Sequence, residues 1–240
     1  MKPDVYTYSN EGGRGYNEDS VSYKEKDGHG LYVVADGLGG HQHGEVASAC
    51  ICDSLMEGWS PDEEDDRADA LKEQIVLANQ KLLTLQQEQQ SKMKSTVVTL
   101  AIDDNQAAWA HVGDSRLYYI HGKAISHITE DHSVAYKKYK AGEITKSQIA
   151  WDEDQSCLLR SLGNEERYEP DVNSQLLLCP GDAFMLCSDG AWEYLQDEEI
   201  LIDYLKSETA KEWAEGLLLR IMGRIDADSD NLTLLTVILH

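Results

Sequence analysis

The apolar residues of this chain come in short runs of two kinds, and their order limits the fold before anything else does. "DVYTYS", "SVSYKE" and "GLYVVAD" are apolar or alternating and read as strands. A helix is expected from Glu45 to Glu57. A longer one should run from Asp66 to Gln90, with Leu71, Ile75, Ala78, Leu82 and Leu85 at helical spacing. "STVVTLAID", "AAWAHVGD", "RLYYIHG" and "AISHIT" follow as closely spaced strands that suit an antiparallel meander. The stretch from Asp131 to Glu166 is polar and irregular, with one or two short helices. Strands return at "QLLLC" and "AFMLCSD", helices cover Asp197 to Lys206 and Ala210 to Arg224, and "NLTLLTVIL" is a last strand. Paired helices between groups of strands predict an α+β fold of packed antiparallel sheets, not a doubly wound parallel one. A length of 240 residues supports one domain with one sizeable core.

Charge narrows the function. Against 44 acidic residues stand 21 lysines and arginines, for a formal net charge of −23. That field repels phosphate backbones and anionic lipid, so neither nucleic acid nor a membrane surface is expected as a partner. No apolar run approaches the roughly 20 residues that span a bilayer, and "MKPDVYTYSN" has no signal-peptide layout. Cys50, Cys52, Cys157, Cys179 and Cys187 form no CxxC pair, which predicts reduced, mostly buried thiols and a cytoplasmic protein.

Several acids share one situation, each where an apolar strand meets a turn. "LYVVADG" gives Asp36, "AHVGDS" gives Asp114, "FMLCSDG" gives Asp189, and "DADSDN" gives Asp228 and Asp230. "RGYNEDS" adds Glu18 and Asp19 before an early strand, with Arg14 upstream. Any one Asp-Gly after a strand is ordinarily a turn. The recurrence, with almost no lysine nearby, reads differently. Converging carboxylates repel unless a cation joins them, and oxygen ligands at this density suit Mg²⁺ or Mn²⁺. Zinc fits less well, because no His/Cys cluster has ligand spacing.

"RGYNEDS", "ADGLGGHQHGEVAS", "HVGDSRLY", "ITEDHS", "LLRSLG", "CSDGAWEYL" and "DNLTLLTV" resemble, in order, the motifs of metal-dependent serine/threonine phosphatases of the protein phosphatase 2C type. The resemblance runs from Arg14 to Val237 and is nearest to compact bacterial members. It implies one catalytic domain over 1–240, an α-β-β-α sandwich, and a flap around 132–166 beside the site. It further implies that Asp36 bridges two divalent cations, Mn²⁺ or Mg²⁺, with the Gly37 carbonyl on one of them. Asp189 and Asp230 would complete one ion's shell, and Glu18 and Asp19 would hold the other. Asp114, beside Asp189, would help bind a weaker third ion, and Arg14 would grip the substrate phosphate. The implied activity is hydrolysis of phosphoserine and phosphothreonine monoesters by a metal-bridged hydroxide, with no phospho-enzyme. The implied partners are phosphorylated proteins and an opposing serine/threonine kinase, the phosphatase itself being a monomer.

One position departs from the pattern. Where animal members carry a histidine after Asp-Gly as the proposed general acid, this chain has Leu38. His41 and His43 lie nearby and read as flanking a helix start or meeting the acidic rim. Ser115 and Ser188 lack a Gly-x-Ser-x-Gly elbow and read as local turn residues. The Gly37–Gly40 run lacks the Gly-Lys-Ser/Thr of a phosphate loop. The five tryptophans read as core or rim aromatics, and "PDEEDD" as a solvated loop. Two other classes stand beside the phosphatase. A catalytically inactive relative that binds phosphoproteins conflicts with an acid at every ligand position, and a metal-dependent nuclease conflicts with the charge.

Overall fold

A computed structural model describes residues 1–38, 43–60 and 66–240, apart from the side chains of residues 174 and 175. Residues 39–42, with His41 and the end of the glycine run, and 61–65, with most of "PDEEDD", lie outside the described residues. The strands are β1 (Pro3–Asn10), β2 (Asp19–Lys26), β3 (His29–Leu38), β4 (Lys94–Ser95), β5 (Val97–Asp103), β6 (Gln106–Val112), β7 (Arg116–His121), β8 (Ala124–Ile128), β9 (Asp171–Leu177), β10 (Ala183–Cys187) and β11 (Leu232–Leu239). The helices are α1 (Gly44–Gly58), α2 (Arg67–Gln89), α3 (Val134–Lys140), α4 (Asp189–Trp192), α5 (Asp197–Lys206) and α6 (Ala210–Met222).

Two antiparallel sheets form the middle of the molecule. One runs β1-β11-β10-β7-β8. The other runs β2-β3-β5-β6-β9, with β4 joined to β3. Period-2 side-chain alternation explains why these strands are apolar on both faces. In β3, Leu31, Val33 and Ala35 pack with Ile51, Leu55, Ile75 and Leu82 of α1 and α2. Tyr32 and Val34 point the other way, into the layer between the sheets with Leu117, Phe184, Leu235 and Val237. In β11, Leu232, Leu234 and Ile238 pack with Trp213, Leu217 and Ile221 of α6. The result is the expected α-β-β-α order of layers.

The meander is the expectation that changes. β5 and β6 pair in one sheet, while β7 and β8 pair in the other, so the chain crosses the sandwich at Gly113–Ser115. Gly113 has φ +103°, and a Cβ there would press on Thr96 at 2.6 Å, so only glycine fits this crossing. β9 starts at Asp171, earlier than the apolar "QLLLC" suggested, because it is an edge strand pairing only with β6. Asp189 begins α4 rather than ending a strand. The cysteines are less buried than expected. All five are free thiols, with Cys52 and Cys187 buried, Cys50 half-buried, and Cys157 and Cys179 exposed.

From Asp131 to Pro170 the chain forms α3, a 3-10 turn at Lys146–Trp151 and irregular backbone. Its base is tied down at Asp131, whose carboxylate takes two hydrogen bonds from Arg116, Nε at 2.7 Å and Nη2 at 2.6 Å. Both partners are buried, and the guanidinium stacks 3.5 Å over the Trp192 ring. No helix among the described residues is long and apolar enough to cross a membrane.

Candidate active site

The strand-end acids meet at one end of the sandwich, drawn from both sheets. Asp19 opens β2 and stands opposite Asp36 of β3, its register partner. Like charges facing each other across a strand pair destabilise it, so structural economy does not account for this pair. The Asp36 carbonyl accepts from Thr96 N at 2.9 Å and Ser95 Oγ at 3.0 Å, which fixes the strand's exit. Asp114 sits on the crossing between the sheets. Its carbonyl accepts from the Trp192 indole at 2.9 Å, and its side chain is buried. Asp189 is the first residue of α4, and Asp230 immediately precedes Asn231 and β11. Asp228 is exposed, with its N–H on Asp226 Oδ1 at 3.0 Å, and is the ordinary turn residue of the set.

The electrostatics of this cluster are adverse. Burial, then the charges of Asp189, Asp19, Asp114 and Asp230, push the Asp36 carboxyl well above its usual range. Burial and then Asp189 and Asp131 do the same to Asp114. Asp19 is pushed up to about 7, chiefly by burial, against hydrogen bonds from Ser188 and Thr233. Asp189 rises to about 6 through burial and Asp230. Asp19 Oδ2 accepts from Ser188 Oγ at 2.7 Å, but Asp19 Oδ1 is buried with no hydrogen-bond partner. An orphaned carboxylate oxygen inside a nest of acids is the environment a bound cation relieves. The donors are all oxygen and suit a hard divalent ion.

Glycine shapes the cluster's wall. A Cβ on Gly37 would collide with the carbonyls of Gly44 and Glu18, and one on Gly44 would strike the Glu18 carboxylate. The two glycines let the end of β3 meet the start of α1, where Gly44 N–H donates to Glu18 Oε1 at 3.2 Å. Glu18 is held from behind by Ser48 Oγ on its carbonyl at 2.5 Å, while its own N–H donates to Asn231 Oδ1 at 2.7 Å. Burial raises its pKa, against the Gly44 hydrogen bond. Arg14 reaches over the rim, Nη2 on Asp230 Oδ2 at 2.8 Å, with its side chain 56% exposed. Its ion-pair partner is Asp230.

Three residues near the cluster had no role in the sequence reading. Gln155 Nε2, from the segment over the site, donates to Asp189 Oδ2 at 3.2 Å. Glu193, one turn beyond Asp189, is pushed up to about 8 by burial and then by Asp189 and Asp230. Asp131 was visible only as part of "ITEDHS". The i, i+4 spacing of Asp189 and Glu193 was the available signal for Glu193; nothing local marks Gln155.

Both serine candidates are engaged in structural hydrogen bonds. His43 precedes α1 and makes no side-chain capping bond, and Leu38 ends β3. Ser115 Oγ pairs with Thr96 Oγ1 at 2.7 Å. Ser188 Oγ is engaged between Asp19 and the Thr233 N–H, a contact across the sequence rather than a turn bond. His111, His132 and Asp171 also converge, with ligand-type atoms within 4.8 Å of one another. Yet His132 Nδ1 accepts the Gly113 N–H at 3.1 Å, which puts its proton on Nε2, beside Asp171 and 3.3 Å from the Arg160 guanidinium. That arrangement is a hydrogen-bonded relay, with no lone pair on Nε2 for a cation.

An α-β-β-α sandwich with acids gathered at one end is what the resemblance implied, and comparison with known proteins agrees. Residues 9–216 match the family described as Protein phosphatase 2C, and the chain belongs to that family. Asp230 lies beyond the matched residues. The chain is 33% identical over 190 residues to the protein phosphatase PhpP of Streptococcus pneumoniae, covering 77% of this chain and 76% of that one. It is 30% identical over 235 residues to the serine/threonine phosphatase stp of Listeria monocytogenes, covering 93% and 90%. The fold is similar to the Streptococcus agalactiae serine/threonine phosphatase, with TM-score 0.86, 27% identity and full coverage of both chains. It is similar too to the catalytic domain of the serine/threonine protein phosphatase PstP, solved with two manganese ions, with TM-score 0.85, 27% identity and coverage of 99% and 98%.

Proposed function

We propose that this protein hydrolyses phosphoserine and phosphothreonine in proteins at a dinuclear Mn²⁺ or Mg²⁺ centre, opposing a serine/threonine kinase as a cytoplasmic monomer. The observation that carries the metal is the buried, unpartnered Asp19 Oδ1 among four other inward-facing aspartates. Asp36 would bridge the ions, with the Gly37 carbonyl, Asp189 and Asp230 on one and Glu18 and Asp19 on the other; Asp114 with Asp189 would hold a weaker third. When bound, such a pair clamps phosphoryl oxygens and lowers the pKa of a water enough for it to attack phosphorus at neutral pH.

The chain's own residues do the rest. Ser188 and Thr96 hold Asp19 and Asp36 in place through the bonds described above. Both candidate serines are engaged in those bonds, which supports direct attack by water without a phospho-enzyme. Leu38 has no proton to give, so the departing alkoxide takes its proton from a group other than this position. Segment 132–166 is read as a flap over the site, touching it through Gln155, with residues 1–240 one catalytic domain. A phosphothreonyl peptide incubated with the protein and Mn²⁺ should release inorganic phosphate over many turnovers. Peptide binding without phosphate release would instead make the chain an inactive binding module.

Arg14 is the proposed grip on phosphate. One of its five N–H donors is used by Asp230, and its side chain is 56% exposed. Arg14→Ala should lower kcat/KM about ten- to a hundredfold, the loss of a charge-assisted bidentate contact. Arg14→Lys should recover only part, since a point charge cannot reproduce a planar fork. Steady-state kinetics beside a Mn²⁺ titration check this: kcat/KM should fall while metal affinity stays mostly unchanged. An unaltered kcat/KM would leave Arg14 as a surface partner of Asp230, worth little.

A further inference from the structure

A groove of about 340 Å³ opens onto the acid cluster between the loop that follows β1 and the turn that follows α6. Asp230 and Gly190 form its inner end, so it continues directly from the proposed catalytic centre. Its floor includes Tyr8 of β1 and Leu232 of β11, and its outer wall is Met222 and Ile225. Met222 is 59% exposed, at the end of α6. The lip is acidic: Asp226 lines it, and exposed Asp228 adjoins it. No lysine or arginine lines it among the described residues, but Arg14 pairs with Asp230 at its inner end at 2.8 Å, so the acid that faces the groove without that pairing is Asp226. The nearest cation in sequence, Arg224, is turned away and clamped to Glu199 and the Tyr194 carbonyl.

The loop walls are backbone. A Cβ on Gly12 would collide with the Asp230 carbonyl, and one on Gly13 with the Ala227 carbonyl, so glycine at both positions lets the two loops touch. An apolar wall under a carboxylate lip matches one kind of side chain in particular. Lysine and arginine lay an aliphatic stem on apolar surface and keep the charged head in a polar, anionic setting.

We infer that this groove takes a lysine or arginine of the phosphoprotein substrate, a few residues from the phosphorylated serine or threonine, with its stem on Met222 and Ile225 and its head at Asp226. The inference rests on the phosphatase reading and names the substrate class for the same site: phosphorylated segments with basic flanks. Long-range charge points the same way, because a surface of net charge −23 attracts a basic segment and repels an acidic one. The two contributions are separable, since removing one acid leaves the overall field nearly unaltered but strips the groove of its lip.

The test uses two phosphothreonyl peptides, one with arginine and one with glutamate in the flank, beside a small aryl phosphate ester. With Mn²⁺, the basic peptide should be preferred about tenfold in kcat/KM at low salt, and the preference should shrink as ionic strength rises. Asp226→Asn keeps the oxygen that accepts the Asp228 N–H and removes only the charge. It should cut the preference about threefold or more and leave the aryl ester rate unchanged. Met222→Ala, at an exposed position, should raise KM for the basic peptide alone. Equal rates for both peptides, or a preference that survives Asp226→Asn intact, would overturn the groove while leaving the phosphatase standing. No hydrolysis of either peptide or of the ester would overturn the phosphatase reading, and the groove with it.

Discussion

Asp36→Asn should lower turnover by about a thousandfold on aryl ester and phosphopeptide alike, the scale seen when one preorganised electrostatic contact is removed from a reaction centre. The same substitution should stabilise the metal-free protein. Asp36 faces Asp19 and feels Asp189 and Asp114 and, from the rim, Asp230. A neutral amide ends that repulsion while filling the same space. The gain should depend on pH with a definite sign. Carboxyls whose folded pKa is raised keep protons that the unfolded chain has already lost, so stability falls as pH rises from about 4 through about 7, where Asp19 titrates. The advantage of Asp36→Asn over wild type should therefore be larger at pH 7.5 than at pH 5. Thermal melts in chelator at the two pH values, with kinetics in Mn²⁺, check both halves. Wild-type turnover in the variant would remove Asp36 from the mechanism.

Chelation should abolish hydrolysis completely, and Mn²⁺ or Mg²⁺ should restore it. At metal concentrations about a hundredfold above Kd, binding to the folded state contributes about 2.7 kcal/mol, or about 5–11 °C in Tm for a chain of this size. The shift should be smaller at pH 5.5 than at pH 7.5, because protons on Asp19 and Asp189 compete with the ions. Calorimetric scans with and without Mn²⁺ measure it. Full activity in excess chelator, or an identical Tm with and without metal, would sink the dinuclear mechanism.

Much of this was readable in the chain because the strongest signals are local. Apolar runs gave the strands, 3.6-residue spacing gave α2, and acids at strand ends gave Asp36, Asp114 and Asp189. What escaped depends on contacts far apart in sequence. Whether β6 turns back into its own sheet or crosses to the other rests on the space beside Thr96 at Gly113, which no window of residues reveals. The facing of Asp19 and Asp36 is a matter of register. The Arg116–Asp131 pair joins a β7 side chain to the turn after β8, and Gln155 reaches Asp189 from an irregular segment with no periodicity. Edge strand β9 was misplaced because only one neighbour shapes it, so its apolar content is weak.

The pairing of β1 has a consequence for how the molecule is made. Its one neighbour in the sheet is β11, and the contact between Ser9 Oγ and Thr233 Oγ1 at 2.7 Å joins residues 224 positions apart. A ribosome adding about 5–20 residues each second takes about 10–45 s to cover that distance. Through that interval β1 lacks its neighbour, and the proposed ligand set is incomplete, because Asp230 is delivered with β11. Under the proposed dinuclear reading, completion of the metal site and closure of β1 onto its sheet fall at the same moment of synthesis. Until β11 is made, β1 remains an unpaired strand edge.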